Sequence, residues 1–102
     1  MANWSFLTSH GKVLLCIAQD PHVRLRDIAI RVAITERRAS GIITDLTTAG
    51  FLIKLREGRR NSYVIQTHLI LPETTGRRQE IGEVLSLLAA PERRTAARPA
   101  TA

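Results

Sequence analysis

Apolar positions fall along this chain in two rhythms, one helical and one alternating. Within Ser9–Gln19, Val13, Leu14, Ile17 and Ala18 share one face at helical spacing and predict a first helix. Trp4, Phe6 and Leu7 form an apolar entry, and Thr8 or Ser9 can cap the helix through a side-chain oxygen. Asp20-Pro21 ends it, because proline cannot continue a helix and disfavours α geometry in the residue before it. Val23-Arg24-Leu25 then reads as a short extended stretch, a candidate strand. From Leu25 the helical rhythm returns: Leu25, Ile28, Ala29 and Val32 stand at i, i+3, i+4 and i+7. That helix should stop near Val32, turn at Ala33-Ile34 and give way to a fresh N-cap at Thr35.

A third helix is expected over 36–49, with Ala39, Ile42, Ile43 and Leu46 inward and Gly50 closing it at positive φ. Its opposite face carries Arg37, Gly41, Thr44 and Thr48, flanked by Ser40 on one side and by Arg38 and Asp45 on the other. The rhythm next becomes alternating. Segments 51–56 and 62–67 read as two strands of a hairpin joined by a longer loop, Glu57-Gly58-Arg59-Arg60-Asn61. Ile53 and Leu55 share one face of the first strand, Tyr63 and Ile65 one face of the second. After a connection holding Pro72 and Gly76, Ile81, Val84, Leu85 and Leu88 repeat the helical stripe within 79–88. This last helix either packs on the first or pairs with a second subunit. One domain over 1–90 is therefore expected, and a small, basic, proline-broken tail over 91–102 is expected to be disordered. The fold class is α+β, mainly α with a small β-hairpin.

Charge sharpens this outline. Fifteen basic residues against nine acidic ones leave +6, and nearly all of the positive charge is arginine. A guanidinium fork matches phosphate oxygens bidentately and keeps its proton, so the bias favours phosphate recognition. The densest cluster joins Arg37 and Arg38 on the third helix to Lys54, Arg56, Arg59 and Arg60 on the hairpin. A helix with a small, polar and basic outer face fits a DNA major groove.

Other chemistry finds no support in the residues. Cys16 is the only cysteine, which excludes an intramolecular disulfide and any multi-cysteine zinc site and fits a reducing, cytoplasmic setting. His10, His22 and His68 are isolated in sequence, and the glycines stand singly rather than in a phosphate loop. No cofactor, metal or catalytic group is expected, and an enzyme is the least supported class. The N-terminus lacks the basic start and long apolar run of a signal peptide, and no stretch approaches the ~20 apolar residues that span a bilayer, so no membrane partner is expected.

The strings LRDIAIRVAITERRASGIITDLTTAGFL and EGRRNSYVI, in that order, resemble the winged helix-turn-helix domain of small bacterial MarR-like regulators. The resemblance covers roughly residues 4–88. It implies a homodimeric, DNA-binding transcription regulator, nucleoid-associated when bound, with a recognition helix over about 35–49 in the major groove and a wing over 56–62 near the minor groove. Carried over by position, Thr35, Arg37, Arg38, Ser40, Gly41 and Thr44 match the recognition helix, as Glu36 does. Gly58, Arg59, Arg60 and Asn61 match the wing tip. The basic cluster itself adds Lys54 and Arg56 as phosphate contacts, and the apolar stripe of Ile81, Val84, Leu85 and Leu88 adds a dimerisation surface. Two departures stand out. Ala33 occupies the turn position usually held by glycine, and Ser40 and Gly41 replace longer polar or basic readers. The second favours an alternative, a winged-helix module that binds a protein partner without strong DNA specificity.

Overall fold

The computed structural model describes residues 4–72 and 76–89; the tail expected over 91–102 lies outside them. Four helices and one two-stranded antiparallel hairpin follow in the order α1 (Ser9–Gln19), α2 (Leu25–Val32), α3 (Glu36–Thr48), β1 (Leu52–Glu57), β2 (Arg60–Ile65) and α4 (Ile81–Leu88). Helices α1, α2 and α3 pack on one another, the hairpin leans on α3, and α4 lies on α1. Their shared core takes Val13 and Ile17 from α1, Ile28 from α2, and Ala39 and Ile42 from α3, all fully buried. These are the stripes that the helical spacing marks out. Burying each large aliphatic side chain contributes about 1.5–3 kcal/mol, so α3 is held at its centre by Ile42 and Ile43 with Leu46 and Ala39 beside them.

Helix ends follow local chemistry. Thr8 Oγ1 accepts from Gly11 N at 3.2 Å to open α1. Thr35 Oγ1 accepts from Arg38 N at 3.0 Å to open α3, as its place in the sequence predicts. Beyond α1, Asp20 Oδ1 accepts from His22 N at 3.0 Å and Asp20 O accepts from Val23 N at 3.0 Å, a turn with Pro21 at its second position.

Two helix C-termini make the same motif with different residues. At the end of α3, Phe51 N donates to Leu46 O and Gly50 N to Thr47 O, with Gly50 at φ +91. At the end of α2, Ile34 N donates to Ala29 O and Ala33 N to Ile30 O, with Ala33 at φ 64 and ψ 48. Left-handed backbone crowds a Cβ against the carbonyl, so Ala33 carries the strain that Gly50 avoids. Ala33→Gly is therefore expected to stabilise the fold by about 0.5–1 kcal/mol. A urea melt with an unshifted or lowered midpoint would contradict that conformation.

Three boundaries differ from the sequence expectations. The stretch at 23–25 is not a strand: Arg24 is extended but leads directly into α2, and one hydrogen bond, Tyr63 N to Pro21 O at 3.1 Å, joins this region to β2. Entry into helix at Leu25 leaves no length for a ladder. The hairpin loop is two residues, not five, because Arg56 pairs with Asn61 and Glu57 with Arg60. Gly58 at φ +65 supplies the positive φ that a two-residue turn needs to match strand twist. Finally, α4 begins at Ile81 because Ile70 and Glu80 form an antiparallel bridge before it.

The seat of α4 is tight. Ile81 N donates to Leu69 O at 2.7 Å and Gly82 N to Thr67 O at 2.9 Å, which satisfies the helix start with backbone rather than a side-chain cap. A Cβ on Gly82 would meet Thr67 Cβ at 2.5 Å and Thr67 O at 2.9 Å, so the close approach requires glycine there.

Candidate nucleic-acid interface

Arg37, Arg38, Ser40, Gly41 and Thr44 are all exposed on α3, with Arg37, Gly41 and Thr44 opposite its buried stripe and Ser40 and Arg38 on its two flanks. The order of the helix explains this: at 3.6 residues per turn Arg37, Gly41 and Thr44 lie on the far side from Ala39, Ile42, Ile43 and Leu46, and Ser40 and Arg38 fall between. Thr35 is exposed too, and its hydroxyl accepts the N-cap hydrogen bond, so its first duty is structural. Thr44 Oγ1 donates to Ser40 O at 3.1 Å, which ties the hydroxyl to its own helix and leaves its lone pairs outward.

The hairpin divides its charges by strand alternation. Leu52, Lys54 and Arg56 share one face of β1, and their partners across the ladder are Ile65, Tyr63 and Asn61. Leu52 and Tyr63 are buried on that face, which leans on α3. Lys54 thus points to the α3 side of the hairpin, while the other face presents Ile53, Leu55 and Val64, each 41–44% exposed. Arg56 Nε donates to Gly58 O at 3.2 Å and braces the turn. Arg59 sits in the two-residue turn and Arg60 opens β2, both exposed.

Tertiary packing brings four of the expected site residues together. Ser40 and Thr44 from α3 and Lys54 and Asn61 from the hairpin line one cleft of about 240 Å³. Thr47, Thr48 and Tyr63 complete its polar lining, and no carboxylate contributes. Thr47 was not singled out from sequence, although its place one turn beyond Thr44 was a sufficient signal. Burial pushes the Tyr63 phenol above its ordinary value, so it stays protonated at neutral pH. Arg37 and Arg38 stand at the start of α3, away from the lining of that cleft, and the arginines of the turn lie at the far end of the hairpin.

One contact was invisible in the sequence. His10 Nε2 on α1 lies 2.7 Å from Asp45 Oδ2 on α3, across 35 residues of chain. The Asp45 side chain is exposed and that of His10 partly so, at 62% and 37%, so the pair adds little stability. It does draw the α3 carboxylate toward α1 and away from the hairpin. It is the one ion pair among the described residues, so the arginines of α3 and the hairpin have no carboxylate partner among them.

The apolar stripe of α4 is partly consumed at home. Ile81 and Leu85 are buried against the same chain, which takes them out of reach of a second subunit. Val84 is half-buried, and Leu88 and Leu87 remain on the surface at 48% and 81% exposure. Trp4 and Phe6 also stand outside the core, in an edge-to-face pair with centroids 5.0 Å apart. Burial pushes the Cys16 thiol up, with Arg31 pulling it partly back, so it acts as a packed apolar group rather than a nucleophile. No group of three or more His, Cys, Asp or Glu among the described residues is placed to hold a metal ion. Among the same residues, no helix is long and apolar enough to cross a membrane. No known family and no curated protein matches this chain.

Proposed function

We propose that this chain is a DNA-binding transcription regulator of the winged helix-turn-helix kind, with α2 and α3 as the helix pair and the β1–β2 hairpin as the wing. The observation that carries this reading is the uncommitted charge on α3 and the hairpin. Arg37, Arg38, Lys54, Arg56, Arg59 and Arg60 are exposed, and none is paired with a carboxylate among the described residues. Positive charge left unpaired on a helix and an adjacent loop is what a phosphate backbone neutralises on binding. The outer stripe Arg37, Gly41, Thr44 is slim enough to approach base edges. Arg37 is the base reader in this reading; Arg38 and the hairpin residues contact phosphates and set register.

A homodimer goes with the proposal, and Leu87, Leu88, Trp4 and Phe6 are exposed apolar residues available for a partner to cover. A second copy places two α3 helices about one DNA turn apart, so the preferred site is roughly palindromic. Regulation takes place wherever the chromosome lies, in the cytoplasm of a bacterial cell.

Selection of bound duplexes from a random pool tests the proposal. The wild type is expected to enrich related half-sites, and Arg37→Ala to lose about 1–3 kcal/mol of discrimination at one base position. A pool that stays unenriched, with affinity no better than an unrelated basic protein shows, refutes the reading. That outcome favours an interaction module, for which the exposed Ile53, Leu55 and Val64 on the free face of the hairpin are a specific supporting observation.

A further inference from the structure

The cleft between α3 and the hairpin holds an arrangement that folding alone does not call for. Asn61 occupies the face of β2 that looks toward α3, and its side-chain oxygen is shielded from solvent with no hydrogen-bond partner. Shielding an amide oxygen without a donor works against stability, so the position invites a ligand. Lys54 lines the same cleft, two residues from Arg56 and on the same strand face, with no carboxylate partner among the described residues. The opposite wall is a row of hydroxyls from Ser40, Thr44, Thr47 and Thr48, and Asp45 is turned away toward His10.

Thr44 and Thr47 spend their hydroxyl protons on Ser40 O and Ile43 O, so the Lys54 ammonium, the Asn61 amide and the hydroxyls of Ser40 and Thr48, with no carboxylate in the lining, form the donor set for an oxyanion. A half-turn of the Asn61 amide exchanges its shielded oxygen for NH₂ and so brings its two N–H donors to that side. From Ser40 to Thr48 the helix rises by about 12 Å, longer than one phosphate group. Such a row suits a strand running past it better than a free ion.

We propose that this cleft seats one backbone phosphate of the bound DNA strand, gripped by Lys54 and Asn61 from the hairpin and walled by the α3 hydroxyls. The inference rests on the DNA-binding reading and adds to it a contact that locks helix and hairpin to the same phosphate. That contact fixes how deeply α3 enters the groove.

The test uses the full chain and a duplex won from the random pool, either unmodified or carrying one methylphosphonate at a time. Lys54→Gln is expected to weaken binding about tenfold and lower the log–log salt slope by about one unit. At a single phosphate, methylphosphonate substitution weakens the wild type similarly but leaves Lys54→Gln unaffected. Asn61→Ala weakens binding several-fold while its unfolding temperature holds or rises, since the variant removes a shielded acceptor; a merely structural asparagine would lower it. Additive losses at every phosphate, or full affinity in Asn61→Ala, overturn the proposal. Inorganic phosphate alone, followed by the Asn61 side-chain amide resonance, separates the two sources of phosphate: saturation below millimolar concentration without DNA reassigns the cleft to a small anion and also overturns it. If the wild type binds no duplex at all, the DNA reading falls first, and the cleft proposal with it.

Discussion

Replacing both Arg59 and Arg60 with alanine is expected to lower the slope of log affinity against log salt by about two units. Each guanidinium that neutralises one phosphate releases close to one condensed counterion, so two lost contacts remove about that much of the salt dependence. Between 50 and 200 mM salt, the wild type should then lose about tenfold more affinity than the double variant, with both measured by fluorescence anisotropy on one duplex. The fold gives no reason for collateral damage. Both side chains are exposed, and neither makes an ion pair with a described residue. Surface substitutions of that kind usually stay within about 0.5 kcal/mol of wild-type stability. The turn keeps its shape because Gly58 and the brace from Arg56 Nε to Gly58 O are untouched. An unchanged slope in a variant that melts like wild type would detach the hairpin from DNA and leave α3 alone as the contact.

Ile42→Ala carries the largest expected effect on folding. Ile42 is fully buried at the centre of α3, with Ala39, Ile43 and Leu46 around it on the same helix and α1 and α2 packed against that face. Truncation loses the transfer free energy of the removed carbons and leaves a cavity that the neighbours fill incompletely, about 2–5 kcal/mol together. A domain of this size is stable by about 5–15 kcal/mol, so the variant should lose a large share of that and unfold at a clearly lower urea concentration. Ile42→Val, which removes a single methyl group, should cost about 0.5–1.5 kcal/mol and grade the series. A loss under about 1 kcal/mol for Ile42→Ala would mean that α3 is not held by this core. Because the buried and exposed faces belong to one helix, loosening Ile42 also frees Arg37 and Thr44 from a fixed orientation. DNA affinity should fall in Ile42→Val more than its small stability change explains.

Much of this architecture was legible in local pattern. The apolar stripes of α1, α2 and α3 named the core, since a helix of this length must bury one face. Thr35 and Gly50 marked where α3 starts and stops through their cap chemistry. Local pattern gave only a turn at Ala33-Ile34; it was the resemblance that marked Ala33 as an alanine where glycine usually stands, and its backbone is left-handed. The hairpin was readable as a hairpin, but its loop was not. Arg60 and Asn61 are polar and look like loop residues, yet ladder hydrogen bonds carry them into β2 opposite Glu57 and Arg56.

Tertiary structure decided the rest, for reasons that act at long range. Whether α4 turned inward or outward depended on a close backbone approach at Gly82 and Thr67, which no spacing rule encodes. His10 met Asp45 only because α1 and α3 cross. The face on which Lys54 and Asn61 lie was set by which hairpin side leaned on α3, and a one-residue shift of register between the strands would have put them on opposite faces. Residue types along the chain thus determined the helices, their buried faces and the excess of arginine on α3 and the hairpin. Packing determined that Lys54, and none of those arginines, faces the cleft beside α3, because directions in space depend on contacts between segments far apart in sequence.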